Sequence, residues 1–147
     1  MNSNLKAFLD TIAHSEGTLG RGDDGYNVLV GGTLFTGYAD HPRRLVDLGR
    51  GLKSTAAGRY QILARYYDAY KKILDLKDFN HESQDAIAIQ MIKEQGALSD
   101  VEAGRFERAI EKCRNIWASF PGAGYGQPER KLVHLKSAYT LAGGTFA

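Results

Sequence analysis

The stretch that decides the fold is residues 2–36, NSNLKAFLDTIAHSEGTLGRGDDGYNVLVGGTLFT. Its first half spaces Leu5, Phe8, Leu9, Ile12 and Ala13 three and four apart, which lines them along one face of a helix. Asn2 or Ser3 can accept from the free N–H groups at the start, and Gly17 can take the left-handed conformation that stops the helix. Glu16 falls at the helix C-terminus, where the dipole and the apolar neighbours both disfavour an ionised carboxyl. Beyond the loop GTLGRGDDG, two β-prone segments flank Gly31-Gly32, the residue type that supplies the positive φ angles of a tight turn. YNVLVGGTLFT therefore predicts a hairpin and the only sheet.

Working outward, GYADHPRRLVDLGRGLKSTAAG, residues 37–58, is rich in glycine and broken by Pro42, and reads as loop with a single helical turn. RYQILARYYDAYKKIL predicts a helix with Ile62, Leu63, Tyr66, Tyr67, Tyr70, Ile73 and Leu74 on its stripe. NHESQDAIAIQMIKEQG predicts another, capped by Asn80 and stopped by Gly96. SDVE, residues 99–102, has the form of a capping box, with Gly104 dividing a short helix from the next. Phe106, Ala109, Ile110, Cys113, Ile116, Trp117 and Phe120 then keep helical period through three turns, the strongest core helix of the chain. Pro121 ends it, and Pro128 opens a last helix reaching Leu141. The reading is an α+β fold, mainly helical, whose small hairpin forms one wall of a substrate cleft.

The bulk properties bound the function. A chain of 147 residues with 43% hydrophobic content fits one globular domain, residues 1–147, with a sizeable core. MNSNLKAFLD lacks the basic start and apolar run of a secretory signal, and no apolar stretch is long enough to span a membrane. The expectation is a soluble product of the cytosol that another agent must release. The lone Cys113 sits on an apolar stripe and reads as a buried hydrophobe. Residues 41–72 carry a surplus of six positive charges within a chain of net charge +2, which suits an anionic polymer, whether nucleic acid or wall glycan.

Several chemistries are excluded by spacing. His14, His41, His81 and His134 are scattered and form no zinc motif, so no metal and no cofactor are expected. There is no Gly-x-Ser-x-Gly nucleophile turn and no phosphate loop. What remains is carboxylates with aromatics and amides, the side chains that cut glycosidic bonds. That reaction needs one carboxyl kept neutral to protonate the leaving oxygen, and often a second, ionised one. Glu16 suits the first role.

SEG at 15–17, GYNVLVGG at 25–32, LFTGYADHPRRLV at 34–46, STAAGRYQIL at 54–63 and NIWASFPGAGYGQ at 115–127 together resemble the lambda-type phage endolysins. The similarity runs in order from the sixth residue to AGGT at 142–145. The resemblance implies a lysozyme-like fold and a lytic transglycosylase acting on peptidoglycan, made in the host cytosol and released through a holin's membrane lesions to lyse the host. It places the catalytic acid on Glu16 and substrate-binding residues on Tyr60, Gln61, Tyr125 and Gln127. Aromatic faces stack on sugars and amides serve hydroxyls and N-acetyl groups, although Tyr60 also fits a core role and Gln127 a solvated one.

The implied product is a 1,6-anhydro sugar, formed without an attacking water and so without a second carboxylate. Two readings stand beside this one. Asp24, eight residues after Glu16, matches the place of the second acid in hydrolytic phage lysozymes, which would make the chain a muramidase; Asp23 and Asp24 equally suit a plain turn. A non-catalytic domain binding wall glycan or nucleic acid is the third. The expected partner is the glycan strand, with no nucleic acid, no stable membrane association and a monomeric state.

Overall fold

The computed structural model describes residues 1–126 and 128–147, which gather into two compact units. One comprises Met1–Gly17 with Ala88–Ala147, the other Thr18–Ile87. Among the described residues there are six α-helices and one two-stranded sheet.

The first unit is helical. α1 (Ser3–Glu16) begins at Asn2, whose Oδ1 accepts from Asn4 N and Leu5 N, and ends at Gly17 with φ 77°. All five expected apolar residues of α1 are buried. The second half of α3 (His81–Glu94) belongs to this unit, followed by α4 (Leu98–Ala103), α5 (Phe106–Cys113) and α6 (Leu132–Leu141). Phe8 packs edge-on against Phe106 and Phe120 at centroid distances of 6.0 and 6.3 Å, and Phe106 meets Tyr139 in a tilted contact at 4.6 Å. Burial of such rings supplies most of the drive for folding, at about 25 cal/mol per Å² of apolar surface. Cys113 is a free thiol in this core, and burial pushes its pKa up to about 12.

Three expectations for this unit need correction. The 106–120 helix stops at Cys113; Trp117 and Phe120 are still buried, but from a run of turns held by separate bonds, Ile116 N and Trp117 N to Cys113 O and Phe120 N to Trp117 O, instead of a continuous helical ladder. The capping box does not form, because α4 already starts at Leu98, so Ser99 lies inside the helix and Ala97 occupies the cap. Pro128 precedes α6 by four residues instead of opening it, since the chain from 128 to 131 stays outside the helix.

In the second unit, α2 (Ala64–Ile73) and the first half of α3 frame a loop-rich body. Its core joins Tyr67, Phe79 and His41; Tyr67 meets Phe79 edge-on at 5.1 Å, and His41 Nε2 lies 2.8 Å from Ile62 O. Gln84 is fully buried and braces the backbone, donating from Nε2 to Tyr26 O and Phe79 O and accepting from Arg59 N at 2.9 Å. Gly58 sits beneath it at φ 83°, where an added Cβ would collide with Gln84 Oε1. Only glycine meets both demands.

The sheet lies where the sequence reading expected loop. β1 (Val46–Gly49) pairs antiparallel with β2 (Leu52–Ser54), Val46 opposite Ser54 and Asp47 opposite Lys53, with an irregularity between Asp47 and Gly49. Gly49, Arg50 and Gly51 all have positive φ in the connecting turn. Both strands are largely exposed, so no buried alternation marks them in the sequence. The expected hairpin at 26–36 does reverse at Gly31-Gly32, but Val28 and Leu34 form only an isolated bridge. Leu29 N and Phe35 N bond across the turn to Thr33 O and Asn27 O, while Val30 N donates to Ala56 O and Val28 O accepts from Gly58 N, so no continuous ladder forms. α2 also starts later than expected: Gln61 has φ 54°, and within the helix only Tyr67 is buried, while Tyr66 and Ile73 face solvent.

Candidate active site

Glu16 is the last residue of α1, held there because Gly17 reverses the chain. It is partly accessible while Ser15 beside it is buried. Ser119 Oγ donates to Glu16 Oε2 at 3.2 Å, and Ser119 Oγ and Ser15 Oγ are 2.7 Å apart. Arg130 binds this corner through its side chain and its backbone, Nε donating to Ser15 O at 3.0 Å and the amide to Ser119 O at 2.7 Å. Burial raises the Glu16 pKa to about 7; the Ser119 hydroxyl and the Arg130 charge oppose it without cancelling it. His14, two residues earlier, is kept below its ordinary pKa by burial first and then by Arg130 and His134. A carboxyl that keeps its proton near neutrality and remains reachable can act as a general acid.

Tyr125 belongs to the same unit. Its ring is 57% exposed and its hydroxyl makes a long contact, 3.4 Å, to Asn115 O. The loop that carries it is shaped by Glu129, whose two carboxylate oxygens accept from Gly122 N and Gly124 N at 2.8 and 3.0 Å. Those bonds hold the Glu129 carboxyl below its usual range. Gln127, also expected at the site, lies outside the described residues.

Tyr60 and Gln61 belong to the second unit, next to Gly58. Tyr60 is 1% exposed, so its ring has no face to offer a sugar; its hydroxyl donates to Asp85 Oδ1 at 2.5 Å, and it meets Tyr26 edge-on at 6.4 Å. The stacking role expected of it gives way to a structural one for that reason. Gln61 is partly accessible, and its Nε2 donates to Val28 O and Gly58 O at 3.2 and 2.9 Å. This clamp occupies the amide nitrogen and leaves Oε1 able to accept.

The two aspartates of the loop are both engaged. Asp24, at φ 48°, accepts at Oδ1 from Gly20 N at 2.9 Å and faces Arg59 Nη2 at 3.3 Å with Oδ2, while Arg59 Nε donates to Asp24 O. Asp23 Oδ2 accepts from Tyr38 OH at 2.6 Å and lies 2.6 Å from His81 Nε2, contacts that hold its carboxyl below the usual range. His81 in turn stacks on Tyr26 at 3.8 Å. Among the described residues, no three His, Cys, Asp or Glu side chains converge as a metal site would require.

Sequence reasoning passed over Ser119, Glu129 and Arg130, although all three lie within or beside NIWASFPGAGYGQ. Ser119 carried no signal of its own, because the hydroxyl gains meaning only by meeting Glu16, 103 residues away. Glu129 was detectable in principle, as an acid placed just after a run of glycine N–H donors.

The fold and the desolvated carboxyl define a lysozyme-like α+β protein. The structure superposes on bacteriophage lambda lysozyme in complex with a chitohexasaccharide with a TM-score of 0.97, at 55% identity, over 100% of this chain and 98% of that one. A second structure of lysozyme from bacteriophage lambda matches with a TM-score of 0.92, at 54% identity, over 100% of this chain and 98% of that one. The chain belongs to the endolysin family, whose model matches residues 6–146. It is 57% identical over 149 residues to the endolysin of Escherichia phage lambda, covering 99% of this chain and 94% of that protein. Against the endolysin of Escherichia phage P2 it is 50% identical over 156 residues, covering 97% and 94%.

Proposed function

We propose that the chain is a peptidoglycan lytic transglycosylase with Glu16 as its single catalytic acid and base. That it cleaves peptidoglycan goes with its family; the finer claim concerns how. Glu16 protonates the oxygen between N-acetylmuramic acid and N-acetylglucosamine, and then, as carboxylate, takes the proton of the muramyl C6 hydroxyl as that oxygen closes onto C1. The substrate's own N-acetyl group can stabilise the oxocarbenium-like centre, so no second protein carboxylate is required.

The observation that carries this reading is the asymmetry among the acids. Glu16 retains its proton to about pH 7 and is reachable, while both Asp24 oxygens face donors of the second unit. A hydrolytic muramidase would need Asp24 to activate water. Gln61 Oε1 suits an N-acetyl N–H, and the open ring of Tyr125 suits a sugar face. Tyr60 contributes by holding the turn that presents Gln61, and Gln127 is retained as a substrate contact on the resemblance alone.

The chain is read as one catalytic domain, a monomer without cofactor, made in the host cytosol and dependent on a holin for access to the wall. No helix among the described residues is long and apolar enough to cross a membrane.

Mass spectrometry of muropeptides released from purified peptidoglycan tests the reading. The expected product is the anhydro form, lighter by one water than the reducing muropeptide, and Asp24→Asn should retain activity within about threefold. A reducing-end product together with a severe Asp24→Asn loss would establish the muramidase. No product at all would leave a glycan-binding domain.

A further inference from the structure

The acid proposed above has to be stabilised in two states, neutral before it protonates the glycosidic oxygen and ionised before it accepts the C6 proton. A fixed N–H donor aimed at the carboxyl would serve only the second. The structure presents a hydroxyl instead. Ser119 Oγ lies 3.2 Å from Glu16 Oε2 on one side and 2.7 Å from Ser15 Oγ on the other. A serine hydroxyl has one hydrogen and two lone pairs, so Ser119 can donate in either direction while accepting from the other.

We propose that Ser119 and Ser15 form a two-hydroxyl chain that reverses its hydrogen-bond direction as Glu16 gains and loses its proton, making Ser119 a positioning residue for both halves of the reaction. This rests on the assignment of Glu16 as the acid. With Glu16 ionised, Ser15 O–H donates to Ser119 Oγ and Ser119 O–H donates to Oε2. With Glu16 neutral, its own O–H donates to Ser119 Oγ, and Ser119 O–H turns onto Ser15 Oγ. The Ser15 hydrogen then turns to a helix carbonyl one turn back, the common acceptor for a helical serine. No proton leaves the site; each hydroxyl only rotates about its C–O bond.

The backbone around the chain is fixed, as a relay of this kind requires. Arg130 Nε holds Ser15 O and Arg130 N holds Ser119 O, so one residue clamps both serines through their backbone carbonyls. Ser15 is 2% exposed, which keeps competing water from its hydroxyl. The charged and titratable groups around the carboxyl are Arg130, ahead of α6, and the histidines His14 of α1 and His134 of α6 that cluster with it. Arg130 cannot reverse a hydrogen bond as a hydroxyl does, because a guanidinium only donates.

Neutron diffraction on deuterated crystals, at pH values well below and well above the Glu16 midpoint, reads the direction. The Ser119 deuterium is expected on the Ser15 side at low pH and on the Glu16 side at high pH; one orientation at both would overturn the proposal. In solution, the 13C titration of the Glu16 carboxyl should move up by about one pH unit in Ser119→Ala, with about tenfold lower kcat and little change in KM. Ser119→Thr, which keeps the hydroxyl, should restore both. A serine that merely packs the corner would lower Tm and leave the titration in place, which also refutes the inference. Should Ser119→Ala fail to fold, the titration of Ser119→Thr and the neutron data on the unaltered protein decide. If Glu16→Gln proved active, the catalytic reading would fall while the deuterium positions still reported on the relay.

Discussion

Glu16 and the Asp23-Asp24 pair flank one short glycine-rich loop, eight residues or fewer apart in sequence, yet they have opposite chemistry. Around Glu16 the protein withdraws water and returns one hydroxyl donor, and the carboxyl holds its proton to about pH 7. Around the half-exposed aspartates it supplies two partners each: Gly20 N and Arg59 for Asp24, Tyr38 and His81 for Asp23. Desolvation with little hydrogen-bond compensation makes an acid; exposure together with donors from the same unit makes a brace. Burial of the carboxyl at Glu16 against solvent exposure at both aspartates, more than the neighbours in sequence, separates a reagent from a brace.

The comparison breaks most severely at Glu16. Glu16→Gln keeps the shape and removes the proton, so muropeptide release should fall by about a thousandfold with the circular dichroism spectrum unchanged. Residual activity within tenfold of the unaltered protein would contradict the role given to Glu16.

On the other side of the comparison, Arg59→Ala should cost about 2–3 kcal/mol of stability in urea unfolding. Arg59 is 4% exposed, donates to both the backbone and the carboxylate of Asp24, and lies over the Tyr26 and Tyr60 rings at 5.3 and 5.7 Å. A cost below about 0.5 kcal/mol, the range of a surface change, would show that the aspartate loop is not braced as described.

A subtler effect concerns stability against pH. The Glu16 pKa rises from 4.5 to about 7 on folding, so the native state binds this proton more tightly than the unfolded chain. Below 4.5 both states carry it and Glu16 exacts no penalty. As pH rises from there to about 7 the unfolded chain ionises first, stability is lost progressively, and above about 7 the loss stays constant. Glu16→Gln should therefore be more stable than the unaltered protein by about 1–3 kcal/mol at pH values above that window, and no more stable below it. Thermal unfolding across the window checks the sign. An equal difference at all pH values would mean that the carboxyl is not perturbed by folding.

Several features are legible in the residue string because they rest on local chemistry. Asn2 capping α1, Gly17 ending it, Asn80 accepting from Glu82 N at the start of α3 and Cys113 facing the core all follow from side-chain type and spacing within a few residues. The failures share a different cause. VDLGRGLKS reads as loop because its strands are short and exposed, and the pairing of Val46 with Ser54 leaves no buried periodicity. YNVLVGGTLFT does turn back on itself, with Leu29 N and Phe35 N bonded across to Thr33 O and Asn27 O, but its ladder is cut short because Val30 N goes to Ala56 and the Val28 carbonyl to Gly58, residues it meets only in three dimensions.

By itself the sequence determined a helix ending in Glu16-Gly17, a mainly helical chain, and a family resemblance covering nearly all of it. Periodicity and capping act over one or two turns, and a residue string records them directly. Only the tertiary structure decided that Ser119 and Arg130 surround Glu16, that Tyr60 is buried against Asp85 and Tyr26, and that the aspartates are spent on Arg59, Tyr38 and His81. Desolvation and hydrogen bonding depend on what lies within a few ångströms, and in a folded chain those neighbours come from anywhere along it.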